Sequence, residues 1–220
     1  MRRLVIAAVL KKSLRSNSRS LKLGFDGRAN CKNLATSKGD LEMRKITAGL
    51  YMTLDGVVEA PEKWSIAYAS PEIDQAIGAA FAQADTMLLG RVTYETFASS
   101  FAGQAGGIAD AMNNIPKVVV STTLVRAEWQ NSTLLKSNVR EELLKRKRQA
   151  GRNIAVSGSV TLVRWLLRER LVDELWLTIV PLVLGSGKRL FADDGNKLPL
   201  KLADSKTSKT GVLITRYELA

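Results

Sequence analysis

From residue 45 onward the apolar positions fall into short continuous runs and one-sided stripes, and the two kinds of segment alternate. Residues 45–52 read as a strand that ends in the polar turn Thr53-Leu54-Asp55-Gly56. Ser70-Pro71-Glu72 opens a helix with a capping hydroxyl, a proline at the first helical position and an acid in the first turn. Ile73, Ala76, Ile77, Ala80, Phe81 and Ala84 then recur at the spacing of one buried helix face. Residues 86–89 form a short buried strand broken by Gly90, and 93–101 read as the next helix.

Strands follow at 117–121 and 133–136, and Asn138 with Glu141 makes a capping box for a basic helix that Gly151 stops. Residues 153–156 are a strand, a Ser/Gly turn comes next, and 162–168 are helical. A central strand at 175–180 is closed by Pro181, and 200–203 with 212–217 read as an antiparallel hairpin around the polar run 204–210. Strand and helix alternate through the middle of the chain. The class is therefore α/β, with a mostly parallel central sheet and an antiparallel C-terminal edge. No linker splits residues 43–220, which form one domain.

Charge changes the picture only at the N-terminus. The chain of 220 residues carries 33 Lys or Arg against 21 Asp or Glu, a net charge of +12. Ten of those cations and three of those acids lie in residues 1–42, so +7 belongs to this leader and +5 to the rest. Such a mild excess does not call for a nucleic-acid partner. Residues 4–10 follow Arg2-Arg3 as in a signal peptide, but the apolar run is short and no small-x-small cleavage site closes it. An Arg- and Ser-rich, acid-poor leader also fits an organelle transit peptide. The reading adopted is a basic extension outside the domain, disordered or preceding a native start at Met43.

No run reaches the length of a spanning helix, so no membrane segment is expected. The single cysteine, Cys31, permits no internal disulfide and is compatible with a reducing cytoplasm. The chain contains no histidine, which excludes Ser-His-Asp and Cys-His relays and histidine-ligated zinc. Asp173-Glu174 resembles a metal pair but reads better as the entrance to the following strand, so no metal is expected. Lys145-Arg146-Lys147-Arg148 reads as a solvated helix face, since no aromatic residue interleaves it.

The informative places are turns at the carboxyl ends of strands, where open α/β sheets bind ligands. Gly90-Arg91-Val92-Thr93 sets a glycine, a guanidinium and a hydroxyl at a helix start, where free amides and the helix dipole suit a phosphate. Ser157-Gly158-Ser159 repeats the arrangement, and Ser121-Thr122-Thr123 adds hydroxyls after a third strand. Three such ends suggest a cradle for a dinucleotide, although neither GxGxxG nor a P-loop is present.

The stretch Asp85-Thr86-Met87-Leu88-Leu89-Gly90-Arg91-Val92-Thr93-Tyr94-Glu95-Thr96-Phe97 joins four further motifs in order: Thr53-Leu54-Asp55-Gly56, Val156-Ser157-Gly158-Ser159, Leu171-Val172-Asp173-Glu174-Leu175 and Pro181-Leu182-Val183-Leu184-Gly185-Ser186-Gly187. Together they resemble the dihydrofolate-reductase-like family that includes the C-terminal reductase domain of bifunctional riboflavin-biosynthesis enzymes. The resemblance covers nearly all of residues 43–220. It implies a three-layer dihydrofolate-reductase-like fold, NADPH across the strand ends, hydride transfer to a pterin- or pyrimidine-like substrate, and a homodimer. Carried over, Gly90, Arg91 and Thr93 match the phosphate-binding turn, Ser121 and Thr122 the segment that reaches the adenosine 2′-phosphate, and Ser157, Gly158 and Ser159 the glycine-rich turn under the pyrophosphate. Dihydrofolate reductases have paired glycines where this chain has Ser157-Gly158, which counts against folate itself. A non-catalytic nucleotide-binding or regulatory protein using the same cradle is the alternative.

Without histidine the proton source falls to carboxylates near the strand ends. Asp74, in the first turns of the helix after Pro71, is the first candidate, and the other reading is an acid complementing the helix dipole. Asp55, the second, matches an aspartate of the riboflavin-type reductases or simply forms the turn. Trp64 either lines a substrate pocket or covers the core, whereas Trp165 and Trp176, on apolar faces, read as core.

Overall fold

The computed structural model describes residues 43–191 and 196–219. The N-terminal leader, with Cys31 and the apolar run at 4–10, lies outside the described residues. Strand β1 (Ile46–Thr53) leads through a loop to helix α1 (Pro71–Ala82), followed by β2 (Ala84–Gly90), α2 (Arg91–Phe101) and α3 (Ile108–Asn114). Strands β3 (Lys117–Val120) and β4 (Ser132–Leu135) precede α4 (Val139–Lys147), β5 (Asn153–Ser157), α5 (Val160–Arg168) and β6 (Glu174–Val180). The hairpin of β7 (Leu200–Thr207) and β8 (Leu213–Leu219) ends the domain.

These strands form one sheet of order β4-β3-β2-β5-β1-β6-β8-β7. Pairing is parallel from β4 to β6 and antiparallel where β8 joins β6 and β7 joins β8. The central strands β1, β2 and β5 alternate their residues between the two faces of the sheet. Ile46, Ala48 and Leu50 of β1 face α4 and α5, whose Leu143, Leu162, Val163 and Leu166 are buried against them. Met87 and Leu89 of β2 face the other way, onto Phe97 and Phe101 of α2 and Met112 of α3. Three layers result, with helices on both faces.

Local detail departs from the sequence pattern where tertiary contacts decide. Helix α3 was not expected, because Ile108–Asn114 is too short to show a period and follows a glycine-rich stretch. Strand β7 runs well past 203, since its Asp204, Ser205 and Lys206 are exposed on a sheet edge and carry no apolar alternation. Asn138 adopts a left-handed backbone (φ 50°) and gives no side-chain cap to α4, so the capping box does not form. Lys147 is not solvated: it is buried and donates to both carboxylate oxygens of Asp173 at 2.7 Å, while Asp173 also accepts from the Ile46 amide. Glu174 is buried against Lys45 and accepts from the Trp176 indole at 3.0 Å. Both acids at the entrance to β6 are thus engaged by protein groups.

Candidate functional site

The strand order contains a switch point. From β1 the chain crosses by α1 to β2, whereas from β5 it crosses by α5 on the opposite face to β6, so neighbouring strands β1 and β5 send their connections apart. A crevice opens at the carboxyl ends of such a pair. In it, Gly49 is paired on one side with Ser157 and on the other with Trp176. A β-carbon at Gly49 would meet nothing within 4 Å. The glycine in mid-strand therefore leaves open floor, not a turn. Above it lies a cavity of about 1290 Å³.

Helix starts contribute to the wall of this cavity. Arg91 of α2, Val139 of α4 and Val160 of α5 all line it, and none of the three helices has a side-chain cap. Their first-turn amides and the positive ends of their dipoles are left to serve an anion. Two turns interlock there. A β-carbon on Gly90 would run into the Ser159 side chain, its Cβ 3.0 Å away, and one on Gly158 would meet Thr93 Oγ1 at 3.2 Å. Gly158 (φ 65°) and Ser159 (φ 57°) both hold left-handed backbone, which is costly for the serine and turns successive amides toward the same space. Gly90, Arg91, Thr93, Ser157, Gly158 and Ser159 are all on the cavity wall. Such a wall can hold the phosphates of an extended anionic ligand.

Ser121 and Thr122 do not line this cavity. The Ser121 hydroxyl is buried and accepts from the amides of Thr123 (3.2 Å) and Leu124 (2.9 Å), so it shapes its own loop, and Thr122 is exposed. The cations near that loop lie in a shallower pocket of about 630 Å³, shared by Arg91, Glu95, Thr123, Arg126 and Glu128. Each arginine there pairs with a glutamate, Arg91 with Glu95 at 3.0 Å and Arg126 with Glu128 at 3.1 Å.

The two candidate acids have different surroundings. Asp55 accepts from the Thr53 hydroxyl at 2.6 Å and from the amides of Gly185 (2.8 Å) and Leu184 (3.3 Å). The Thr53 hydrogen bond above all, then these amides, hold its carboxyl down at about 2. It ties the loop after β6 to the end of β1, stays ionised near neutrality and is not on the cavity wall. Asp74 is buried in the first turn of α1 and also does not reach the cavity. Tyr51, two residues after Gly49 on the same face of β1, does line it. Burial first and then the charge of Asp74 push the Tyr51 hydroxyl above its ordinary range, so it remains protonated.

Among the tryptophans, Trp64 packs over the cluster of Ile73, Val180 and Ile214 and donates to the Glu59 carbonyl at 2.9 Å. It is not among the lining residues, whereas half-buried Trp165 and Trp176 are. Sequence reasoning missed Gly49, Tyr51 and the start of α4. Only Gly49 left a signal, a glycine inside an otherwise apolar strand.

Residues 44–214 match the family described as RibD C-terminal domain. The uncharacterized Bacillus subtilis protein YyaP is 28% identical over 183 residues, covering 81% of this chain and 96% of its own length. A Shewanella protein of known structure, 20% identical, superposes with a TM-score of 0.66 over 80% of this chain and 99% of its own. A Thermotoga maritima diaminohydroxyphosphoribosylaminopyrimidine deaminase/5-amino-6-(5-phosphoribosylamino)uracil reductase, 12% identical, gives a TM-score of 0.59 over 81% of this chain and 57% of its own. Similarity at these identities extends to the fold.

Proposed function

The chain belongs to the RibD C-terminal domain family, and from that premise we propose that it is an NADPH-dependent reductase of a small heterocyclic or carbonyl substrate. The observation that carries the reading is the cavity wall that joins the interlocked, uncapped starts of α2 and α5 to the open crevice over Gly49. NADPH bound there would supply the hydride. Gly90, Arg91 and Thr93 at the start of α2, and Ser157, Gly158 and Ser159 before α5, would hold its phosphates through backbone amides. Gly49 would admit a flat ring against the sheet, because no side chain at that position occupies the crevice.

A reduced C=N or C=O group leaves negative charge on its heteroatom and gains rate from a donor within hydrogen-bond reach. Tyr51 is that donor in this reading. Tyr51 borders the cavity, and its hydroxyl gives up its proton only to a strong base such as a forming alkoxide or amide anion. Asp74, behind it, is a positioning residue for Tyr51 and touches no substrate. Asp55 keeps the loop at 182–187 against β1.

Titration with NADPH, followed by quenching of tryptophan emission from Trp165 and Trp176 in the cavity wall, tests the reading. A dissociation constant in the micromolar range, about −8 kcal/mol, is expected. Loss of nicotinamide absorbance against a panel of pterins, flavin precursors and small carbonyl compounds then tests turnover. No binding at millimolar NADPH would refute the proposal.

A further inference from the structure

The apolar stripe of α1 is only partly used by the core. Ile73 is buried, whereas Ala76, Ile77, Ala80 and Phe81 are half-buried and line the cavity. The helix is held at two places. Near its start Ile73 packs with Val180, at the carboxyl end of β6, and with Val212 and Ile214. Towards its end Ile77 and Phe81 pack on the cluster that contains Met87 and Leu89 of β2. The carbonyl of Gln83, directly after α1, accepts from the amide of Asn153 at the start of β5 at 2.9 Å. Helix α1 therefore descends from the carboxyl edge of the sheet to its amino edge, and it crosses the two strands that lie between β6 and β2, namely β1 and β5.

Beneath that crossing the sheet carries small side chains. Thr47 and Gly49 of β1 share one face and pair with Ala155 and Ser157 of β5, and all four line the cavity. Tyr51 continues the same face to the carboxyl edge, so at about 3.3 Å per residue this wall runs about 13 Å along β1 from Tyr51 down to Thr47. Trp176, in register with Gly49, forms the side towards β6, its indole N–H donating to Glu174 at 3.0 Å. The charged residues of the cavity wall have other origins. Arg140 and Arg168 belong to α4 and α5, which pack on the opposite face of the sheet, and Glu59 and Glu62 to the loop that leaves β1 at its carboxyl end. Among the described residues neither α1 nor any strand contributes a charged side chain to the wall. A charge placed between α1 and the sheet would lose its water without gaining a partner.

We propose that this slot takes an uncharged hydrocarbon substituent of the substrate, flat or extended, which lies along β1 beneath α1. The inference rests on the reductase reading and deepens it by naming the substrate class, a carbonyl or ring compound that carries an apolar tail. Ala80 and Phe81 of α1 and Thr47 and Ala155 of the sheet meet the end of the tail, and Gly49 leaves it room to pass.

The test is calorimetric binding of a homologous series of alkyl phenyl ketones, from acetophenone to valerophenone, to the full chain with and without saturating NADP+. Each methylene that enters an apolar slot should tighten binding about three- to fourfold, so valerophenone should bind about thirtyfold or more tightly than acetophenone. Ala155→Leu on the sheet and Ala80→Leu on α1 fill the slot from opposite walls. Each should flatten the series to less than about twofold per methylene, leave the NADP+ affinity unchanged and melt no lower than the wild-type protein, because the added side chain enters open space. A flat series in the wild-type protein, an unchanged slope in both variants or a lower melting temperature in both would overturn the proposal. A slope that vanishes when NADP+ is added, or a loss of NADP+ affinity in either variant, would give the slot to the cofactor and overturn it equally. NADPH is titrated alone beforehand. Its failure to bind removes the reductase reading and with it the substrate class, whereas NADPH binding with a flat ketone series removes only the substrate class.

Discussion

Substitution of Gly49 separates stability from binding, because the two should change in opposite directions. A glycine in the interior of a strand costs about 0.5–1 kcal/mol relative to alanine through the entropy of the unfolded chain. Here nothing lies within 4 Å of the added β-carbon, so no clash opposes that gain. Gly49→Ala should therefore stabilise the protein, and at about 2–4 °C per kcal/mol for a domain of this size the melting temperature should rise by about 1–4 °C. In the proposed function the same methyl intrudes on the crevice that would seat the nicotinamide ring. Forcing extra carbon into a close-packed contact costs about 1–3 kcal/mol. At 1.4 kcal/mol per decade this weakens binding about 5- to 150-fold, with Gly49→Val at the upper end. Thermal unfolding and NADPH titration on the same samples give both numbers. A valine variant that binds NADPH as tightly as the wild-type protein would show that the ring does not sit over β1, and the assignment of the crevice would be wrong.

Tyr51→Phe should lower turnover about a hundredfold or more, the scale of general-acid catalysis, with NADPH affinity unchanged. Asp74→Asn should shift the high-pH limb of turnover toward lower pH, because the carboxylate charge that raises the Tyr51 hydroxyl is removed; an unmoved limb would disconnect the two residues. If NADPH is preferred over NADH, Arg91→Ala or Arg126→Ala should reduce that preference about tenfold, a loss typical of a charge-assisted contact, whereas Ser121→Ala should not. A selectivity change in Ser121→Ala alone would return the 2′-phosphate to that hydroxyl. Lys117 is buried, donates to the carbonyls of Asn113, Ile115 and Gln130, and is held down at about 8 by desolvation. Its unfolded value is higher, so between about pH 8 and 10.4 the unfolded chain binds more protons and this residue makes stability rise with pH, by up to about 1.4 kcal/mol per pH unit. Denaturant unfolding of the wild-type protein and Lys117→Met across that window should show the rise only in the former, and parallel pH curves would refute it.

What was legible in the sequence was what the backbone dictates locally. Gly90 and Gly158 announce themselves as turn residues, and the structure explains why nothing larger serves: each sits against a side chain of the other's turn, Ser159 and Thr93. The alternation of apolar runs and stripes gave the layers for the same reason, since a strand buried on both faces and a helix buried on one have different periods. Roles decided by distant contacts left no such trace. Ser121 has the residue type of a phosphate ligand and an equally good local alternative, and its hydroxyl took the amides of its own turn.

The same reasoning explains why the tryptophans and acids were harder to place than the glycines. An apolar face on β6 reads as core whichever side of the sheet is covered, and only the strand order shows that the Trp176 face borders the β1–β5 crevice. Asp55 and Asp74 share a residue type and both lie near strand ends, yet one is fixed as an anion by amides and a hydroxyl while the other is buried beside a phenol. Residue type restricts a carboxylate to a few roles, and the donors around it choose among them. Here one donor is the nearby Thr53 hydroxyl, and the other two come from Leu184 and Gly185, 129 and 130 positions from Asp55 along the chain. A site assembled at a topological switch point draws its parts from both halves of the sheet, so its chemistry is set by the strand order before it is set by any single motif.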